Sequence, residues 1–190
     1  MHYDIVIPRG NEKEFVRMAE PLGYDCLYLC YSPNDLDIGK KTIASLSNTI
    51  TVKPLLLITD RKHSHWPEQR ILKLASHQDL RACLEQLRPS FILDIESSAG
   101  KDTTHTRTSQ LNHVLCAIAK KYHTTFCFSL TSYFSSSAEK RSRLLGKVQQ
   151  NIRLCSKYDV AYDLVSLASS PEHMRNPLDV KALTRMLSKR

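Results

Sequence analysis

The chain has 190 residues, 42% of them hydrophobic, and a formal net charge of +8 at neutral pH. This length and composition predict one domain over residues 1–190 with a core of ordinary size. Uninterrupted apolar stretches such as Leu55–Ile58 are far too short to span a membrane, and an acid at position 4 argues against a secretory signal. We therefore expect a cytoplasmic protein with no membrane partner.

Short β-rich segments alternate with helical patterns along the chain. The predicted strands are Tyr3–Ile7, Asp25–Tyr31, Ile50–Ile58, Ile71–Ala75, Phe91–Ile95, Thr124–Leu130 and Val160–Ser166. The predicted helices are Asn11–Leu22, Lys40–Ser47, Gln78–Leu87, Gln110–Tyr122, Ala138–Tyr158 and Pro177–Leu187. Several strands are apolar at successive positions, which is typical of parallel strands covered on both faces. The pattern predicts an α/β fold, either a small parallel barrel or a doubly wound sheet.

The basic charge lies in the C-terminal half. Residues 1–100 contain 12 Lys and Arg against 13 Asp and Glu, whereas residues 101–190 contain 15 against 6. This asymmetry predicts one anion-binding face, and nucleic acid is the commonest partner of such a face. An acidic protein partner or a membrane surface could also produce this asymmetry.

The six cysteines mostly sit in apolar segments, and no two have the spacing of a zinc ribbon or a thioredoxin site. We expect small buried hydrophobic residues in a reducing compartment. Cys26 and Cys30, four residues apart, would share one face of their strand.

Signals for catalysis are weak. Asp60, Glu96 and Asp163 lie at or near strand ends, where α/β enzymes place their active sites. The pair His63 and His65 has no evident third metal ligand, and no phosphate-binding loop or nucleophile elbow is present. The polar segment 97–109 is predicted to be a functional or flexible loop.

The helix predicted over Ala138–Tyr158 is strongly amphipathic. At about 100° per residue, the apolar residues Leu144, Leu145, Val148, Ile152 and Cys155 share one sector, and Lys140, Arg143, Lys147, Arg153 and Lys157 share the opposite one. Arg141 and Leu154 break this separation. A helix that uses cations only for solubility normally intersperses acids, yet none occurs between residues 140 and 158. The cationic face therefore predicts a polyanionic partner.

The segment after the last strand carries two helix-start signals. Ser170 precedes Pro171, and Asn176 precedes Pro177 with an acid at Asp179. Arg175 lies just before the second start, where it is expected either to contact a phosphate or to pair with a nearby acid.

The order of motifs over residues 105–187 resembles a known family. The motifs are LNHVL, R-x-x-LLGK, NIRLC-x-KYDV and SPEHMRNP-x-D, and a weaker likeness covers residues 1–75. In this arrangement the chain resembles protein component 3 of archaeal ribonuclease P, the thirty-kilodalton class of subunit in eukaryotes.

The resemblance implies a small TIM-barrel-like β/α fold related to polymerase-and-histidinol-phosphatase barrels. It also implies a non-catalytic subunit that acts with protein component 2 and other ribonuclease P proteins. Such a subunit binds and activates the catalytic RNA, which removes the 5′ leader from precursor tRNA and uses magnesium itself, so no cofactor is expected on the protein. Phosphoesterase relatives carry an Asp-x-His-x-His pattern on the first strand, whereas here Val6 and Pro8 follow Asp4 at the histidine positions.

The chain departs from the family at two positions where glycine is usual. Thr108-Ser109-Gln110 follow Arg107, and Leu167 stands between the Ser and Ala that follow the last strand. Both changes put side chains at backbone-permissive positions.

The expected RNA contacts are basic residues on the helix and around it. They are Lys101, Arg107, Lys120, Lys121, Lys140, Arg143, Lys147, Arg153 and Arg175. Three alternatives stay open: the basic helix faces component 2 and not the RNA; the barrel is a metal-dependent phosphoesterase that uses carboxylates such as Glu96 and Asp60; or it is a scaffold for an acidic protein.

Overall fold

The strands form one parallel sheet in chain order. The structure is a computed structural model that describes residues 1–46, 49–59, 69–73, 79–96 and 109–188. Within those residues the strands are β1 (Tyr3–Val6), β2 (Cys26–Tyr31), β3 (Thr51–Ile58), β4 (Arg70–Lys73), β5 (Phe91–Leu93), β6 (Thr125–Ser129) and β7 (Tyr162–Val165). Each strand pairs in parallel with the next one in the sequence. All seven predicted strands are confirmed.

The helices of the described residues lie between and after these strands. They are α1 (Glu12–Leu22), α2 (Leu36–Ala44), α3 (Leu80–Leu87), α4 (His113–Lys121), α5 (Leu130–Phe134), α6 (Ala138–Tyr158) and α7 (Pro177–Ser188). None of them combines the length and apolarity that a membrane span requires.

The helix predictions are confirmed except in four places. Helix α4 begins at His113, three residues after the prediction, because the Asn112 side chain caps it there by accepting the Leu115 N–H at 3.0 Å. Helix α2 begins at Leu36, four residues before the prediction. It includes Gly39, which packs so closely on Tyr31 that an added Cβ would lie 2.5 Å from a ring atom. Helix α5 was not predicted. The helix predicted to start at Ser170 is only a short 3₁₀ turn, Pro171–His173, and the Ser170 side chain does not cap it. By contrast, the Asn176 side chain accepts the Leu178 N–H at 2.8 Å and caps α7 as predicted.

The sheet closes into a small barrel where β1 meets the segment after β7. The Leu167 N–H donates to the Ile5 carbonyl at 2.9 Å, and the Ile7 N–H donates to the Ala168 carbonyl at 2.8 Å. Of the two architectures left open by the strand pattern, the parallel β/α barrel is therefore correct.

Asp4 holds this seam together. Its Oδ1 accepts the N–H groups of Ser166 at 2.7 Å and of Ile5 at 2.8 Å, so the carboxyl supplies a bond that a backbone carbonyl would make in a regular ladder. Burial raises the pKa of Asp4 from 3.8 to about 6, against the opposing effect of these hydrogen bonds. The first-strand acid therefore has a structural role in this chain.

The barrel interior is filled by side chains. Tyr3, Tyr28 and Phe91 form an aromatic cluster with ring centroids 5.3–6.0 Å apart. Cys26 and Cys30 lie in the same apolar cluster on one face of β2, as predicted. All six cysteines are buried, as predicted, and none forms a disulfide. A second apolar layer lies between the sheet and the helices.

Leu167 has a positive φ of 48°, in the region that favours glycine, and its side chain is buried in the interior cluster. The departure from the family's glycine therefore falls on a strained backbone position.

We expect Leu167→Gly to be more stable than Leu167→Ala. Both variants lose roughly 2–4 kcal/mol of packing, but only glycine relieves a backbone strain of about 1 kcal/mol. Urea unfolding measures the difference. Leu164 is the control, because it is buried on β7 and is not among the residues of positive φ. There we expect the alanine variant to be more stable than the glycine variant. If Leu167→Ala were at least as stable as Leu167→Gly, the backbone strain assigned to this position would be contradicted.

Candidate anion-binding surface

Helix α6 has the bounds that its periodicity predicts, Ala138–Tyr158. The Ser137 hydroxyl accepts the Lys140 N–H at its start, and Asp159 ends it in the left-handed conformation with φ 54°. Leu144, Val148, Ile152 and Cys155 are buried on the barrel side. The opposite side is exposed at Lys140, Arg143, Arg153 and Lys157, while Lys147 is half-buried. We call these five residues the cationic face of α6.

The two residues that break the amphipathic pattern both have local explanations. The Arg141 guanidinium donates from its NH2 nitrogen to the carbonyls of Phe134 at 3.2 Å and Ser136 at 3.1 Å. It therefore satisfies carbonyls at and just beyond the end of α5 while lying in the apolar sector. Leu154 packs against the core as a partly buried residue.

Two of the predicted contact residues have carboxylate partners. Arg143 pairs with Glu139 one turn earlier at 2.5 Å, and Lys120 pairs with Asp159 at 2.8 Å. The Lys120 ammonium lowers the pKa of Asp159 through its hydrogen bond and its charge. Both pairs are exposed and therefore contribute little to stability. They do reduce the positive charge available to a ligand at Arg143 and Lys120.

The second half of the cationic face borders a groove with the start of α4. Arg153, Lys157, His113 and Tyr158 are among its lining residues, and its volume is about 560 Å³. The His113 and Tyr158 rings lie 6.4 Å apart on opposite walls. The Ser109 hydroxyl donates to Oδ1 of the buried Asn151 at 2.5 Å and ties the segment before α4 to α6. Cations, amides and aromatic rings are the groups that bind a nucleic-acid backbone and its bases.

The other predicted contacts are more dispersed. Lys121 is exposed at the end of α4, with its ammonium 5.5 Å from the Tyr122 ring centroid. Lys101, Arg107 and the loop predicted over 97–109, apart from Ser109, lie outside the described residues, as do Asp60 and the pair His63 and His65. A helix of 21 residues is about 30 Å long, so Lys140 and Lys157 lie far apart on one extended surface.

Arg175 precedes α7, as predicted. Its NH1 donates to the carbonyls of Met174 at 3.0 Å and Glu172 at 3.3 Å, and its guanidinium lies 5.1 Å from the Phe134 ring centroid. The Tyr24 hydroxyl donates to the Arg175 carbonyl at 2.6 Å and fixes the backbone there. In the described part of the chain, Arg175 makes no ion pair with a carboxylate. The alternative in which it pairs with a nearby acid is therefore wrong for these residues.

Sequence reasoning missed the role of Phe134 and its neighbours. Phe134 is 48% exposed, although it is a large apolar residue, and it lies between Arg175 and Tyr133. The available signal was an aromatic pair, Tyr133-Phe134, inside a serine-rich segment that has no helical periodicity.

Glu96 is the strand-end carboxylate that the structure describes most clearly. It is 1% exposed, and neither side-chain oxygen has a hydrogen-bond partner among the residues that the structure describes. Burial raises its pKa from 4.5 to about 8, so the group is largely protonated at neutral pH. Metal ligation requires the deprotonated form. Among the described residues, no three His, Cys, Asp or Glu side chains converge as a metal site.

Comparison with known proteins gives sequence and structural relatives. No protein-family model matches the sequence. Ribonuclease P protein component 3 of Methanosarcina acetivorans is 34% identical over 106 residues, which are 56% of this chain and 41% of that protein. The match thus covers less than half the length of the curated relative.

Two solved structures share the fold. A chain in the cryo-EM structure of archaeal ribonuclease P with mature tRNA has a TM-score of 0.72 and 16% identity, over 97% of this chain and 83% of that chain. The crystal structure of an uncharacterised protein has a TM-score of 0.57 and 8% identity, over 98% of this chain and 71% of that one. At these identities the structures establish the fold. The chain thus resembles ribonuclease P protein component 3 in sequence, as its motifs predicted, and has the β/α-barrel fold found in a chain of archaeal ribonuclease P.

Proposed function

We propose that the protein is a non-catalytic subunit of ribonuclease P that binds and activates the catalytic RNA. The cationic face of α6 carries this proposal, because it spans a long helix that contains no acid between residues 140 and 158. The named relative supports the choice of ribonuclease P over other RNA partners. Component 2, other ribonuclease P proteins and, indirectly, precursor tRNA are the proposed partners.

In this proposal the cationic side chains neutralise phosphates of the folded RNA. Each phosphate contact releases condensed counterions, so the complex gains free energy from their entropy at low salt. Reducing the repulsion between RNA strands lowers the magnesium concentration that the RNA needs to fold. The magnesium ions for cleavage belong to the RNA, and the barrel provides a rigid support that positions the cations.

The phosphoesterase alternative has less support in the described residues. The barrel interior is filled by apolar and aromatic side chains, and Glu96 is buried and protonated at neutral pH. A metal-dependent esterase needs an open, ionised set of ligands at the strand ends. Phosphate release from a generic ester by the protein alone with manganese would restore this alternative.

Direct binding tests the proposed function. The 190-residue protein is titrated with ribonuclease P RNA from Methanosarcina acetivorans, the source of the curated relative, at several salt concentrations. We expect the logarithm of the affinity to fall linearly with the logarithm of salt concentration, with a slope of about −3 or steeper for four or more phosphate contacts. Absence of binding at low salt, in the presence and absence of component 2, would contradict the proposal.

A further inference from the structure

Phe134 is an exposed aromatic residue on a short, well-anchored element. It ends α5, whose first turn is capped by the Ser129 hydroxyl accepting the Ser132 N–H at 3.1 Å. The Thr131 hydroxyl donates to the Ser166 carbonyl at 2.6 Å and ties α5 to the residue after β7. About half of the Phe134 side chain is nevertheless exposed. A single exposed apolar side chain is common on protein surfaces, so the surroundings of this ring decide what it indicates.

The surroundings of this ring are aromatic and cationic. Tyr133 meets Phe134 edge to face, with centroids 5.2 Å apart and an interplanar angle of 77°. The Arg175 guanidinium lies 5.1 Å from the Phe134 centroid, and that of Arg141 lies 5.5 Å from the Tyr133 centroid. We call these four residues the Phe134 platform. Its order is arginine, phenylalanine, tyrosine, arginine.

The positive charge of the platform is not neutralised within the described residues. Both guanidinium groups donate to backbone carbonyls, and neither forms an ion pair with a carboxylate there. The nearby Glu139 carboxylate pairs with Arg143 instead. The Nε of Arg141 is also buried and has no hydrogen-bond partner in the described part of the chain. The platform therefore offers a ring surface beside two cations whose positions are fixed by carbonyls.

We propose that the Phe134 platform binds an unpaired nucleotide of RNA. The base stacks on the exposed part of the Phe134 ring, and its phosphate lies against the Arg175 guanidinium. Single-stranded RNA supplies both a π-face and an anion at the spacing of one nucleotide, which a base-paired strand cannot present. An apolar protein surface would instead leave two guanidinium charges desolvated without an anion. The inference rests on the proposed function and adds the class of RNA element that it recognises.

The test uses the whole chain and a ten-nucleotide single-stranded RNA that carries one 2-aminopurine. We expect Phe134→Ala and Phe134→Leu to weaken binding by about 5- to 100-fold, the loss of one stacked base. Phe134→Trp should retain the affinity of the wild type. Stacking should quench the 2-aminopurine fluorescence with the wild type and Phe134→Trp only. The salt slope should stay unchanged in Phe134→Ala and become shallower by about 0.7 in Arg175→Ala.

The controls separate this inference from the proposed function. A ten-base-pair duplex of the same sequence should bind wild type and Phe134→Ala alike, and unfolding curves check that each variant is folded. Full affinity in Phe134→Leu would show an apolar contact and overturn stacking. If all Phe134 variants bind the single strand like the wild type, the proposal that the Phe134 platform binds a nucleotide is contradicted. The proposal that α6 binds ribonuclease P RNA is then unaffected. If the wild type binds no RNA at low salt, both proposals fail.

Discussion

Replacement of Lys140 and Arg153 by Glu is expected to weaken binding to ribonuclease P RNA on the order of 100-fold at 0.1 M salt. The two residues are exposed and lie about 20 Å apart along α6, so the double variant changes both halves of the cationic face. Each lost phosphate contact should also make the salt slope shallower by about 0.7–0.9. A filter-binding titration over a range of salt concentrations measures both quantities.

These positions are better choices than Arg143 and Lys147, which the sequence alone would favour. Arg143 pairs with Glu139, so an acid at 143 would face a like charge one turn away. Lys147 is half-buried, and a change there disturbs packing as well as charge. Lys13 and Arg17 on α1 are exposed, so their replacement by Glu makes a matched control of equal charge change. That control should lose far less RNA affinity.

The same variant distinguishes the two orientations of the helix. If the cationic face binds RNA, the double variant loses RNA affinity and still forms a complex with component 2. If the face binds component 2, RNA affinity is retained while that complex is lost. The second outcome would contradict the RNA contacts proposed for α6. Because both substituted side chains are exposed, we expect stability to change by less than about 0.5 kcal/mol.

Replacement of Glu96 by Gln is expected to stabilise the protein at alkaline pH. The folded protein holds the Glu96 proton up to a pKa of about 8, whereas the unfolded chain releases it near 4.5. The folded state therefore binds more protons between these values, and the free energy of unfolding falls as pH rises through that window. The full destabilisation by the charged, buried carboxylate, on the order of 5 kcal/mol, is reached only above pH 8.

Urea unfolding at pH 5 and at pH 8.5 measures this effect. Wild type and Glu96→Gln should differ by no more than about 1 kcal/mol at pH 5, because each then buries a neutral polar group. At pH 8.5 the variant should be more stable by several kcal/mol. Asp4, whose pKa of about 6 lies lower, is unchanged in both proteins and cancels in the comparison. Glu14→Gln on the surface of α1 controls for the lost charge. Equal stability of wild type and Glu96→Gln at pH 8.5 would show that Glu96 is not buried as described.

The sequence predicted α6 well because periodicity and local signals agree there. Apolar residues recur along one face from Leu144 to Cys155, and Ser137 and Asp159 mark the ends of the helix, so the helix and its cationic face follow from local rules. The seven strands could be predicted equally well from the sequence, because their apolar composition is typical of buried parallel strands.

The features that were missed depend on contacts between distant residues. In the sequence, Asp4 stands out only as the first position of the phosphoesterase pattern, whereas in the structure its carboxyl closes the barrel against Ser166 across 162 positions of the chain. Arg141 reads as a misplaced cation until the end of α5 lies beside it. The five-residue helix α5 is too short to show a period, so the position of Phe134 beside Arg175 could not be predicted. In each case a tertiary contact decides the role of the side chain.

Reconstitution of precursor-tRNA cleavage tests the central claim most directly. Ribonuclease P RNA and component 2 from Methanosarcina acetivorans are combined with this protein, with the Lys140 and Arg153 double variant or with the α1 control, at moderate magnesium. We predict that the wild type and the control raise the rate of 5′-leader removal, and that the double variant raises it much less. A cleavage rate that is the same with and without the wild-type protein would contradict its assignment as an activating subunit of ribonuclease P.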